Sequence, residues 1–242
     1  MKVLLLAAGY GKRLRPITNS IPKCLVEINK KPLITYWLEL LKNKRIDEIY
    51  INTNYLSKIV ENFFLKKKSN QNINIVKENS LLGTGGTILK IFNHFENETF
   101  LVIHADNLSI FDLDEFLDAH HNRPQGTLMT MMIFKTDTPQ SCGIVELDNQ
   151  GVVKGFYEKV EFPPSNLANA AVYIIEPSIY KFLVKMNKKV IDFSTGVIPH
   201  LINQIFTYEN TVYHRDIGTI ESYHKAQKEF PIVELSHKIK GS

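Results

Sequence analysis

Apart from Lys2, positions 1–8 are apolar and leave no room for a polar face, a pattern that suits a strand buried on both sides of a parallel sheet. From Lys31 and Pro32 to Lys42, apolar residues recur at helical spacing behind a proline at the helix entrance. Further on, 49–53 reads as a strand, 57–67 as a helix, 73–77 as a strand, 86–95 as a helix and 99–104 as a strictly apolar strand. Strands alternating with helices predict an α/β fold with a Rossmann-like, doubly wound, mostly parallel mixed sheet, whose ligands bind at the carboxyl ends of the strands.

The second half changes character. Four strand-like runs, 127–134, 143–147, 152–158 and 168–175, are joined by short turns such as Asp148-Asn149-Gln150-Gly151 and predict a small antiparallel extension. Helices are expected over 177–185, 199–205 and 221–230, with a strand at 211–214. Residues 1–230 read as one domain, its halves 1–125 and 126–230, followed by a tail over 231–242. Ile232, Val233 and Leu235 of that tail are suited to cover a contact in a homo-oligomer. Hexapeptide repeats are absent, so no β-helix is expected within the chain.

With 242 residues and 44% hydrophobic content, the chain can close one sizeable core. The net charge of +4 is modest, and the lysine clusters at 66–68 and 185–189 fall at expected helix ends, which argues for solvated termini rather than a nucleic-acid surface. Cys24 and Cys142 lack metal-type spacing and read as free thiols of a reducing compartment. The apolar start stops at Ala8 and is followed by Lys12, Arg13 and Arg15, unlike a secretion signal, and no run of eighteen apolar residues follows. A cytoplasmic protein without membrane or nucleic-acid partners is the expectation. The eight histidines form no ligand cluster by spacing, and His120-His121 is expected to end an exposed helix.

Candidate chemistry begins after the first strand. Gly9 and Gly11 allow a sharp turn whose N–H groups can meet phosphate oxygens, while Lys12, Arg13, Arg15 and Lys23 supply positive charge. A dinucleotide fingerprint would need a small residue where Leu14 stands, and a Walker loop would need Ser or Thr where Arg13 stands. Asp106 follows the strand at 99–104, and Asp216 ends a later strand before a glycine turn. Each alone suits a turn or helix cap. Meeting at one point, they would suit Mg²⁺, which takes few protein ligands and completes its shell with phosphate and water.

The string Gly9-x-Gly11-x-Arg13-Leu14-x-Pro16-x-Thr18, followed by Pro22-Lys23, resembles the signature of the sugar-1-phosphate nucleotidylyltransferases, and the order of motifs over residues 1–230 resembles the mannose- and heptose-1-phosphate guanylyltransferase type. The resemblance implies a GT-A-like nucleotidyltransferase fold and transfer of a nucleotidyl group from an NTP to a sugar 1-phosphate. It assigns the NTP to Ala7, Ala8, Gly9, Gly11, Lys12, Arg13, Lys23, Glu78, Gly83 and Thr84, with Arg13, Lys23 and Asp106 at the reacting centre. It gives Mg²⁺ to Asp106 and Asp216, although Ala105 stands where the family usually has Gly. Gly143, Glu158, Lys159, Asn169 and Asp192 would hold the sugar phosphate. The string from Leu82 to Thr87 resembles the family's base-bordering loop and favours GTP, with CTP and UTP open. Two alternatives stand beside this reading. One is a phosphocholine cytidylyltransferase, which Lys31-Pro-Leu-Ile-Thr-Tyr36 also resembles; the other is a nucleotide-binding regulatory subunit without catalysis.

Overall fold

The alternating apolar runs form a mixed parallel and antiparallel α/β sheet architecture, seen in a computed structural model that describes residues 1–66 and 71–240. In chain order the strands are β1 (Lys2–Leu6), β2 (Glu27–Ile28), β3 (Lys31–Pro32), β4 (Glu48–Thr53), β5 (Ile73–Lys77), β6 (Phe100–His104), β7 (Asn107–Ile110), β8 (Met129–Lys135), β9 (Gly143–Leu147), β10 (Val153–Glu158), β11 (Leu167–Ile175), β12 (Ile205–Glu209) and β13 (Tyr213–Asp216). The α-helices are α1 (Leu33–Leu40), α2 (Ser57–Lys66), α3 (Gly83–Ile91), α4 (Leu113–His121), α5 (Ile179–Lys185), α6 (Phe193–Gly196) and α7 (Ile220–Lys240). The chain forms two compact units interleaved in sequence. One comprises Leu4–Asn79, His104–Phe111 and Val212–Ser242, the other Met1–Val3, Ser80–Ile103 and Asp112–Thr211.

In the first unit β4 pairs in parallel with β5, Ile49 opposite Ile73. Pro32 occupies the cap position of α1, whose Leu33, Ile34, Trp37 and Leu38 are buried, and Trp37 Nε1 donates to the Asn107 carbonyl at 2.9 Å. The β7 strand, not expected from sequence, forms an antiparallel ribbon with β13 in which Asn107 lies opposite Asp216. One apolar cluster joins Leu14, Val26, Ile28, Leu33, Leu108, Ile217, Ala226 and Phe230. Three of these residues, Leu14, Leu108 and Ile217, adjoin or nearly adjoin Arg13, Asp106 and Asp216, so burying them fixes where the polar groups emerge.

Helix α7 continues ten residues beyond Phe230, through positions expected as a tail. Pro231 forgoes one backbone hydrogen bond, but no glycine follows before Gly241, and the intervening residues are helix-compatible. Arg215 anchors the helix through Glu229, Nε to Oε2 at 2.9 Å and Nη2 to Oε1 at 3.2 Å. Ile232 is 69% exposed.

In the second unit β10, β9, β11 and β6 lie side by side, with β11 antiparallel to both β9 and β6. Strand β8 also pairs with β11, and β12 runs parallel to β8, Ile205 opposite Met129. The helix expected over 199–205 is therefore replaced by a 3-10 turn at Ile198–His200 and then a strand. Buried Ile205 and Thr207 alternate with less buried neighbours, which suits a pleated surface, and β8 supplies the edge with which they pair. Helix α3 starts at Gly83, so the expected glycine loop is its first turn.

His120 does end α4, but it is 5% exposed and lies within a polar network, contrary to the exposed end expected. Its Nδ1 is 2.7 Å from Thr130 Oγ1 and its Nε2 3.1 Å from Glu176 Oε1, to which Arg123 Nη2 donates at 2.6 Å. Lys66 and Lys185 close α2 and α5 as expected for cations, whereas Lys67 and Lys68 lie outside the described residues. Among the described residues no helix is long and apolar enough to cross a membrane.

Candidate active site

The loop after β1 exposes Gly9, Tyr10, Lys12 and Arg13, while Leu14 is fully buried. Its left-handed turn is made at Gly11 alone, with φ at +61°, and a Cβ there would meet the Thr18 methyl at 2.9 Å. Gly9 has neither a positive φ nor a crowding neighbour, so the sharp turn expected of both glycines belongs to the second. Thr18 Oγ1 donates to the Gly11 carbonyl at 2.8 Å and closes the loop.

Pro22 leads into a 3-10 turn that buries Lys23, Cys24 and Leu25. The Lys23 ammonium reaches the two carboxylates singled out from sequence, donating to Asp106 Oδ2 at 2.6 Å and to Asp216 Oδ1 at 3.2 Å. Arg13 Nη2 lies 3.9 Å from Asp216 Oδ2. Gly218 permits this arrangement, because a Cβ would fall 2.4 Å from Asp216 Oδ2 and 3.0 Å from Arg13 Nη2. Thr219 Oγ1 then accepts from Ser222 N at 3.1 Å at the start of α7, which accounts physically for the Asp-x-Gly-Thr spacing.

Burial works to lower the Lys23 ammonium, but Asp106 and Asp216 outweigh it and hold its pKa above the ordinary lysine value. Burial likewise works to raise Asp106, and the positive charges of Lys23 and His104 hold it below the usual carboxylate range. The neighbouring Cys24 thiol is pushed up to about 12 by burial and by Asp106, which keeps it protonated and unsuited to act as a nucleophile. Two hard oxygen donors converge on one point that a cation already fills, so the donor set fits Mg²⁺. Among the described residues no cluster of three or more His, Cys, Asp and Glu ligands is present. A metal held here would take two protein carboxylates and draw its other ligands from phosphate and water.

Glu78, expected at the nucleobase, is 3% exposed and belongs to a network that joins strand ends. Asn52 Nδ2 donates to Glu78 Oε1 at 3.0 Å, Asn52 Oδ1 accepts from the Ala7 N–H at 2.7 Å, and Asn54 Nδ2 donates to the Glu78 carbonyl at 2.8 Å. The Ala7 N–H is thus engaged within the protein, and Ala8 is buried with its carbonyl 3.5 Å from the Tyr55 N–H. Asn52 escaped sequence reasoning, although an amide inside the apolar run Ile49-Tyr-Ile-Asn52 was a usable signal.

In the second unit Gly83 and Thr84 open α3, and the Gly85 N–H donates to the Ile191 carbonyl at 3.0 Å. Gly143 and Glu158 are directly paired across β9 and β10. Lys159 Nζ stands 2.9 Å from Glu158 Oε1, and its backbone N–H donates to the Cys142 carbonyl at 3.0 Å. Asn169 lies at a register break in β11, where its Nδ2 donates to Tyr173 Oη at 2.7 Å and its Oδ1 accepts from Ala171 N at 2.9 Å. Burial raises the Tyr173 hydroxyl, with the Glu158 and Asp192 charges adding to the shift and Asn169 opposing it. Tyr173 is thus held directly by one expected sugar-site residue, Asn169, and was not itself among the expected site residues. Asp192 caps α6, accepting from Thr195 N and Oγ1 at 2.8 Å each.

A mixed α/β fold with a cation-bearing glycine loop behind its first strand defines a class of phosphate-binding proteins. The chain belongs to the nucleotidyl transferase family, whose model matches residues 2–231, in line with the resemblance carried by the glycine loop. It is 34% identical over 185 residues to mannose-1-phosphate guanylyltransferase 1 of Arabidopsis thaliana, covering 74% of this chain and 51% of that protein. It is 32% identical over 250 residues to the UTP--glucose-1-phosphate uridylyltransferase of a Synechocystis species, covering 93% and 62%. The crystal structure of HddC from Yersinia pseudotuberculosis has the same fold, with a TM-score of 0.79 at 24% identity over 95% of this chain and 99% of that one. The chain spans between 51% and 63% of the length of the curated relatives it matches first.

Proposed function

We propose that the protein transfers a nucleotidyl group from an NTP to a sugar 1-phosphate, releasing pyrophosphate, with GTP and a manno-configured sugar (mannose or D-glycero-D-manno-heptose) as the favoured substrates. The observation that carries this reading is the convergence of Lys23, Asp106, Asp216 and Arg13 beside the glycine loop. The sugar phosphate oxygen that attacks the α-phosphorus is already an anion, so the reaction needs no general base. It needs positioning and neutralisation of two polyanions.

In this reading Arg13 and Lys12 meet the triphosphate from the exposed loop, and Lys23 stabilises charge that builds on the transferred phosphoryl group. Lys159 neutralises the phosphate of the sugar, while Glu158 and Asn169 orient its hydroxyls. Mg²⁺ bound by Asp106 and Asp216 would supply further neutralisation of phosphate oxygens. The guanylyltransferase names among the relatives support GTP. The uridylyltransferase relative keeps UTP with glucose 1-phosphate as a second reading. Two free cysteines, one of them buried, agree with a reducing cytoplasm as the place of action.

Pyrophosphate release with Mg²⁺, measured across four NTPs against mannose, heptose and glucose 1-phosphates and phosphocholine, tests the proposal. Release with GTP and a manno-configured phosphate is expected. UTP with glucose 1-phosphate would move the reading to the second donor, and CTP with phosphocholine would replace the sugar. NTP binding without release from any pair would refute nucleotidyl transfer to these acceptors.

A further inference from the structure

A loop that offers backbone N–H groups to phosphate binds well only if its shape exists before the ligand arrives. The segment from Ala8 to Asn19 is largely exposed, and Gly9 and Gly11 give it conformational freedom that must be restrained from elsewhere. One residue outside the segment touches it at several points, through its backbone and its side chain. Tyr55 stands on the turn between β4 and α2, and its backbone N–H reaches the Ala8 carbonyl at 3.5 Å. Its ring faces Tyr10 with centroids 5.4 Å apart. Its hydroxyl is shared between the Thr18 carbonyl at 3.0 Å and the Asn19 carbonyl at 3.3 Å. Lys12 Nζ in turn lies 5.4 Å from the centroid of the Tyr10 ring, so a loop cation is drawn toward the same aromatic pair.

We propose that Tyr55 is a positioning residue for phosphate binding, a clamp that ties the start of the glycine loop, at Ala8 and Tyr10, to its end, at Thr18 and Asn19. The inference rests on the reading that this loop receives the triphosphate. It goes further by naming a residue that touches neither phosphate nor the reacting atoms. Tyr55 preorganises the loop, and its removal acts on triphosphate affinity while leaving the chemical step in place.

Tripolyphosphate is the direct probe, because it carries no base and no sugar. Calorimetric titration of Tyr55→Phe should show affinity lowered about fivefold, the loss of one hydrogen bond. Tyr10→Ala, an exposed position that the fold tolerates, should weaken binding about as much by removing the ring contact. In steady state both variants should raise KM for the NTP and leave kcat and KM for the acceptor near wild type, a split that a general loss of folded protein would not produce. If the wild type binds tripolyphosphate and both variants bind it equally well, the clamp is overturned and the nucleotidyl-transfer reading stands. If the wild type binds neither tripolyphosphate nor any NTP, both fall.

Discussion

Replacing Lys23 by methionine keeps most of the side chain's bulk and deletes its charge. The ammonium lies 2.6 Å from Asp106 Oδ2 and 3.2 Å from Asp216 Oδ1, on a side chain that is 9% exposed. At an effective dielectric constant of about 20, each pair attracts by roughly 5–6 kcal/mol. Burying the ammonium takes back a large part of that attraction. The two carboxylates are 31% and 49% exposed and keep contact with water after the substitution. The expected loss of stability is therefore about 1–2 kcal/mol, below the roughly 3–5 kcal/mol that follows when a fully buried charge loses its partner.

Turnover should suffer more than stability in this variant, because no water can reproduce a fixed cation beside the transferred phosphoryl group. A fall of ~10²-fold or more is expected, the scale of lost electrostatic stabilisation. Initial rates of pyrophosphate release at saturating substrates and Mg²⁺, alongside urea denaturation, separate the two effects. Turnover within about threefold of wild type would refute the reasoning. Mn²⁺ titration of the ligand-free protein offers a check independent of activity. With the competing ammonium gone, Lys23→Met should bind Mn²⁺ at least ~10-fold more tightly than wild type. Equal affinity would mean that the carboxylates do not share a cation site.

Gly218→Ala should lower turnover at least ~10-fold by pushing the Asp216 carboxylate and Arg13 aside, yet cost under about 1 kcal/mol, since the clash meets only side-chain ends. Paired rate and melting measurements test this, and unchanged rates would separate Asp216 from catalysis. Phe230→Ala should cost ~3–5 kcal/mol in urea unfolding, because the ring is 1% exposed and packs edge-on against Tyr36 and Tyr213; a loss below about 1 kcal/mol would show that α7 contributes little to this core. Burial and the adjacent Arg123 push His120 down to about 4 from 6.5, against the upward pull of Glu176. Unfolded chains then take up this proton first as pH falls, so the contribution is intact above 6.5 and is lost progressively toward pH 4. His120→Gln should flatten that limb of the pH–stability curve; an unchanged slope would assign it to other groups.

Periodicity made most of the elements legible, because it records which side of a local segment is buried. The apolar run that became β6 and the strand-like run that became β9 needed no distant partner to be read. The phosphate loop was legible for a similar reason, since its glycines, cations and Pro-Lys sit within one short stretch. Asp106 and Asp216 could be singled out as strand-end carboxylates, but only by type. Strand β12 went unread beyond its first residue, Ile205, because what decides it is the edge offered by β8, and β7 went unread because it exists as the partner of β13.

The amino-acid sequence by itself determined the α/β class, the glycine loop and the residue types of an anion-handling site. The tertiary structure alone decided that the Lys23 ammonium lies between two carboxylates 83 and 193 positions away, that Asn52 holds Glu78, and that Tyr55 spans the loop. Local spacing encodes burial over a turn or a strand. Which charges meet depends on the path of the whole chain, and that path is set by the packing of residues such as Leu14, Leu108 and Ile217 into one core.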